Sequence, residues 1–273
     1  MNTLGKRVST GLTLALFATG LIVYAPSGVI LGLASVVSIL ATLEWESLRA
    51  GKLGTVKTLV SSILALLTTF LFVWVFQNIA WTVEALGLGW TVLLVWVGRI
   101  ALTGQTSSVS RARLLGPLII CPSIALIPVI HAMDSNGPIA LLAAFVAIWG
   151  SDTGAYFSGR KWGKHRLAPK VSPGKTWEGV SGGLLLGVLA SLGIIRAFYD
   201  GGIPYLSWVA ILIISISAGV LGDLFESMFK RTSGKKDSGS LLPGHGGILD
   251  RIDSTLAFLP IFAVFIVAGK MDI

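Results

Sequence analysis

Apolar residues run along this chain in long blocks separated by short polar punctuation. Nine blocks approach the length of a spanning helix, about 20 mostly apolar residues. They lie at 10–25, 27–43, 57–77, 86–102, 114–131, 137–157, 179–198, 205–222 and 254–270. Pro26 splits the first two, and the Asp-Ser-Asn-Gly-Pro run at 134–138 marks a turn. Lys6 and Arg7 ahead of an apolar run ending in Val23-Tyr24-Ala25 imitate a secretory signal. Pro26, directly after the would-be cleavage point, predicts a retained helix instead. The pattern predicts an all-α polytopic integral membrane protein of about nine transmembrane helices with a cytoplasmic N-terminus. Residues 1–80 hold the N-terminal helices, 81–158 the middle helices, which offer a dimer contact, and 159–273 the C-terminal helices and loops.

Composition agrees with the pattern. Of 273 residues, 53% are hydrophobic and only 12% charged, and the mean hydropathy is +0.82. A soluble domain carries about 25% charged residues, so soluble globular, disordered and collagen-like chains are excluded. The single cysteine, Cys121 in an apolar run, excludes a disulfide framework and reads as a small buried hydrophobe.

Charge then orients the helices. Alternating sides from a cytoplasmic N-terminus puts 19 of the 21 Lys and Arg residues inside and leaves Arg196 and Lys270 outside. The net charge of +8 gathers mainly in two loops, 158–178 and 223–253. Attraction to anionic headgroups explains the basic residues at 49–57 and 99–113. It does not explain why carboxylates crowd the two later loops.

Those carboxylates are the chemistry. Asp152 lies within a span, Asp223 ends one, and Asp250 and Asp253 precede the last. A charge at bilayer depth costs about 3 kcal/mol on insertion scales, so such residues pair or line a cavity. Asp223 and Glu226 are three apart, as are Asp250 and Asp253, so each pair shares a helix face. Oxygen ligands without convergent Cys or His suit a hard cation, Mg²⁺ before zinc. Glu226 reads equally as an ion-pair partner, and Asp250 or Asp253 could cap a helix. The stretch Lys170-Val171-Ser172-Pro173-Gly174-Lys175-Thr176-Trp177-Glu178 runs into a helix expected to start at Gly179, which suits a polyphosphate. Gly174-Lys175-Thr176 imitates a P-loop, but Pro169 stands where the first glycine belongs. Ser172-Pro173-Gly174-Lys175 imitates the S-x-x-K of penicillin-binding proteins, yet no S-D-N or K-T-G follows. The spacing Gly179, Gly183, Gly187 reads as helix packing. His245 sits among glycines and reads as a phosphate-side donor or loop anchor, whereas His131 and His165 read as interfacial.

The stretch from Ser227-Met228-Phe229-Lys230-Arg231 through Lys236-Asp237 to Leu242-Pro243-Gly244-His245-Gly246-Gly247-Ile248-Leu249-Asp250-Arg251-Ile252-Asp253 closely resembles one signature. It is that of the phosphatidate cytidylyltransferase (CDP-diacylglycerol synthase) family. Ser151-Asp152-Thr153-Gly154-Ala155-Tyr156, Ser172-Pro173-Gly174-Lys175-Thr176-Trp177-Glu178 and Gly222-Asp223-Leu224-Phe225-Glu226-Ser227 look like this family too. The resemblance is specific over about 145–260. It implies transfer of a cytidylyl group from CTP to phosphatidate, giving CDP-diacylglycerol and pyrophosphate for phospholipid synthesis. It further implies Mg²⁺ held by Asp223 and Asp250, K⁺ as a second ion, a homodimer in the cell inner membrane and a cavity open to cytoplasm and bilayer. No nucleic-acid partner is expected.

Two anions must meet in that reaction, so their repulsion has to be neutralised. Asp223, Asp250, Lys230, Arg231 and Arg251 are the expected catalytic set. Ser172, Lys175, Thr176, Lys236, His245 and Asp152 are the expected substrate-binding set. No general base is needed, because the nucleophile is already an ionised phosphate. The rivals are a CTP-dependent polyprenol kinase, an archaeal-lipid cytidylyltransferase and an ion transporter. The last would need charges near mid-membrane across several spans.

Overall fold

A computed structural model describes residues 3–51, 53–79, 81–103, 115–239 and 246–271. A helix stands at each of the nine predicted blocks: α1 (Thr3–Tyr24), α2 (Ser27–Ala50), α3 (Thr55–Asn78), α4 (Trp81–Thr103), α5 (Gly116–His131), α6 (Gly137–Trp162), α7 (Trp177–Phe198), α8 (Tyr205–Thr232) and α9 (Leu249–Met271). Among the described residues, α2, α3, α4, α6, α7 and α8 are long and apolar enough to cross a bilayer. Their exposed faces carry large apolar side chains such as Leu67, Trp74, Val92 and Leu102, which suit lipid. This is an all-α membrane protein.

The short helix α5 is buried almost all round, which places it at the centre, against α2, α3 and α9. Cys121 within it is fully buried, as expected. His131 at its end is buried as well, not interfacial. Its ring nitrogens meet the Ile22 carbonyl at 3.0 Å and Ser27 Oγ at 2.9 Å, tying α5 to the α1–α2 corner.

Helices α6 and α7 pack most extensively, through the expected glycines. A Cβ on Gly187 would come within 2.6 Å of the Ala147 carbonyl, and one on Gly183 within 2.8 Å of the Ser151 carbonyl. Such close backbone approach replaces the hydrophobic drive that lipid cannot supply between helices.

Most helices overrun their apolar blocks, and three boundaries matter for the site. Helix α8 continues past residue 222 to Thr232, and α9 begins at Leu249, before 254. Asp223, Glu226, Lys230, Arg231, Asp250 and Asp253 are therefore helical rather than parts of a loop. An apolar run marks where a helix leaves the bilayer core, not where its hydrogen bonding stops. Lys230 and Arg231 in the last turn of α8 also oppose the negative end of its dipole. The segment before α7 forms a small antiparallel hairpin, β1 (Arg166–Ala168) with β2 (Ser172–Thr176), and α7 starts at Trp177 rather than Gly179. Thr176 is the N-cap: its hydroxyl accepts from the Gly179 amide at 3.1 Å.

Candidate active site

A cavity of about 590 Å³ lies between α6, α7, α8, α9 and the end of the hairpin. That is the size of a small-molecule site. Its walls divide by chemistry. Ile148, Val180, Ile216 and Phe258 form an apolar side, while Asp152, Arg160, Lys175 and Asp223 supply charge.

Hairpin and helices converge at Lys175. The last residues of β2 aim its ammonium at α8, where it pairs with Asp223 Oδ2 at 2.6 Å and donates to the Val220 carbonyl at 3.2 Å. Ser227 Oγ donates to the other Asp223 oxygen at 3.3 Å. Asp152, on α6, is within electrostatic reach of Asp223, Lys175 and Arg251. Arg160, two turns further along α6, donates to the Tyr156 hydroxyl at 2.8 Å, and both line the cavity.

One turn beyond Asp223 lies a second charged group. The Lys230 ammonium stands between two carboxylates, Glu226 on its own helix and Asp250 on α9, the latter at 2.6 Å. Asp250 is satisfied further by backbone donors: the Gly247 amide at 2.8 Å and the Ser238 amide at 3.0 Å. Asp250 precedes Ser254, a cavity residue, by one turn on the same face of α9. Asp253 lies between the two groups, within electrostatic reach of Asp223, Glu226 and Lys175.

Among the described residues, His, Cys, Asp and Glu side chains do not converge in threes. The carboxylates stand instead around two ammonium groups, which occupy places where positive charge is favoured. Mg²⁺ is commonly held by one or two carboxylates, with phosphate oxygens and water completing its shell. The donor set at Asp223 and Asp250 fits that ion.

The expected site residues therefore separate. Asp152, Lys175, Thr176 and Asp223 meet at the cavity, and Lys230 and Asp250 form the adjoining group. Ser172 is half-buried in β2 and off the cavity wall, and Arg231, Lys236 and Arg251 are exposed. His245 lies outside the described residues. His165 is exposed at the hairpin, its Nδ1 2.6 Å from a Glu178 oxygen.

Sequence reasoning missed Arg160 and Tyr156, which a helix wheel through Asp152 would have placed one and two turns along the same face. It also missed two residues of α2. Trp45 is fully buried and stacks on Phe229 with ring centroids 3.8 Å apart. Glu44 accepts hydrogen bonds from Ser238 and from the start of α9. The signal for Glu44 was a carboxylate ending an apolar block, the criterion that singled out Asp223.

Helices, cavity and paired charges together define a polytopic membrane protein with a helix-lined pocket that carries charged side chains of both signs. The chain belongs to the cytidylyltransferase family, whose pattern matches residues 5–268. Over 133 residues it is 49% identical to a phosphatidate cytidylyltransferase of Haemophilus influenzae, covering 48% of this chain and 46% of the relative. A Pseudomonas aeruginosa protein of the same name is 47% identical over 135 residues, covering 50% and 49%. One from Staphylococcus saprophyticus is 46% identical over 138 residues, covering 50% and 53%. The chain spans about half the length of the curated relatives it matches.

Proposed function

We propose that this protein transfers the cytidylyl group of CTP to phosphatidate, releasing pyrophosphate and forming CDP-diacylglycerol. The observation that carries the reading is the cavity, with Lys175 and Asp223 at its charged side and apolar walls for a lipid. Membership of the family and the names of the relatives support it.

The reaction joins two anions. A phosphatidate phosphate oxygen attacks the α-phosphorus of CTP, the P–O bond to the β-phosphate breaks, and pyrophosphate leaves with the bonding pair. Lys175 and Arg160 supply positive charge where two polyphosphate groups would otherwise repel. The approach of Lys175 from the hairpin lets its ammonium move from Asp223 to a phosphate without disturbing a helix. Asp223 and Asp250 would hold Mg²⁺, which when bound would supply positive charge to offset the phosphates. Ile216 and Phe258 keep water from the apolar side, and an acyl chain can lie there. The reading includes K⁺ as a second ion and a homodimer through the middle helices.

Purified protein in detergent, given labelled CTP and phosphatidate, should form CDP-diacylglycerol and pyrophosphate with Mg²⁺ and neither without it. Omitting K⁺ should lower the rate, and light scattering should give the mass of a dimer. Release of CDP instead of pyrophosphate would reject the reading in favour of a kinase.

The site is proposed to face the cytoplasm of the inner membrane, supported by the basic residues of 158–178. His165 is a suitable reporter, because its side chain is 77% exposed. His165→Cys should resist an impermeant thiol reagent in sealed cells, and labelling from outside would reverse the topology.

A further inference from the structure

The motif-bearing residues end α8 and begin α9, yet the groups that hold them there come from α2. Trp45 stacks on Phe229 and Phe225 of α8. Lys235, past the end of α8, donates to the Ser47 carbonyl at 3.3 Å. Between these contacts Glu44 takes three donors. Its Oε1 accepts from the Ile248 amide at 2.9 Å, and its Oε2 accepts from the Leu249 amide and from Ser238 Oγ, each at 2.9 Å. Among the described residues no Lys or Arg pairs with Glu44. Its charge is offset instead by N–H and O–H groups at the positive end of a helix.

Two carboxylates thus divide one set of donors. The Gly247 amide goes to Asp250, and the next two amides go to Glu44. Ser238 serves both, giving its amide to Asp250 and its hydroxyl to Glu44. Two glycines leave the room this needs. A Cβ on Gly247 would run into Glu44 Oε2 and Ser238 Oγ, and one on Gly239 would meet Glu44 Oε1 at 2.6 Å. A shift of Glu44 must therefore move the first turn of α9, and Asp250 with it.

The geometry points to Glu44 as a positioning residue for the reaction: a carboxylate on the motif-poor side of the chain that sets where Asp250 stands. The inference rests on the proposed cytidylyl transfer and assigns Glu44 no contact with substrate. Glutamine keeps the shape but turns one acceptor oxygen into an amide that faces other donors.

In Glu44→Gln, kcat should fall about 10–100-fold, the usual loss when the support of a metal-site ligand is removed. KM for CTP should change less than about threefold, since the Lys175 side of the cavity is untouched. Hydrogen exchange should speed up in peptides covering 246–252 and stay unchanged across 205–222. Ser238→Ala removes one donor and leaves the fold safer, so it should show the same pattern at smaller size. It carries the test if Glu44→Gln does not fold. Wild-type kcat in a folded variant, or unchanged exchange at 246–252, overturns the inference. A wild-type protein that makes no CDP-diacylglycerol would defeat the functional reading instead, and the exchange result would still decide whether Glu44 holds the start of α9.

Discussion

Two ammonium–carboxylate groups stand about one turn apart on α8 and differ in their access to solvent. In the first, Lys175 and Asp223 are 22% and 30% exposed and face the cavity. In the second, Glu226, Lys230 and Asp250 are 1%, 12% and 9% exposed. An open pair contributes about 0–1 kcal/mol, because water solvates either charge nearly as well. A buried pair adds little net stability, yet breaking it costs about 3–5 kcal/mol, since one charge is left without compensation. The same chemistry thus yields a pair open to the cavity and a locked one where two helices are joined.

The sharpest way to break this contrast is Lys230→Met, which leaves Glu226 and Asp250 facing each other in a buried setting. It should cost about 3–5 kcal/mol, visible as a large drop in the unfolding temperature of detergent-solubilised protein. Adding Glu226→Leu should recover part of that loss. If Lys230→Met melts like the wild type, the second group is not locked.

Asp223→Asn and Asp250→Asn should each lower turnover about 100-fold or more, equivalent to about 2.7 kcal/mol of barrier. Only Asp250→Asn should also lower the unfolding temperature. If both aspartates serve one ion, the double variant should be hardly slower than either single one. Near-wild-type, Mg²⁺-dependent turnover in a folded single variant would remove that residue from the site.

Gly187→Ala probes chiefly the α6–α7 contact. The added methyl meets the Ala147 carbonyl and the tip of Ile216 and should cost about 1–3 kcal/mol of stability, with KM for CTP changed little. Lys175→Ala should act on binding instead, raising KM for CTP severalfold. Unchanged CTP kinetics would take Lys175 out of the site. The smallest effect is expected from Asp237→Asn, whose exposed position in the turn after α8 predicts a mild loss of rate.

Much of this protein was legible in one dimension. Bilayer thickness dictates the length of an apolar block, so the blocks marked every helix among the described residues, and the glycines of α7 announced close packing. The cost of burying charge singled out Asp152, Asp223 and Asp250, and the motifs pointed to the family. Helix ends were less legible, because hydropathy stops at the polar boundary while backbone hydrogen bonding continues through Thr232. The hairpin was too short to show a pattern of alternation.

What the chain alone determined is therefore the set of local quantities: which segments are apolar, which carboxylates are out of place, and which residues match a motif. Tertiary structure decided the partnerships. Nothing in local sequence says that the ammonium of Lys175 crosses to Asp223, that Lys230 bridges Glu226 and Asp250, or that Glu44 holds amides some two hundred residues away. The contacts between elements depend on how α2, the hairpin, α8 and α9 lie against one another. That arrangement follows from the summed packing of many side chains, of which any one segment carries only a part.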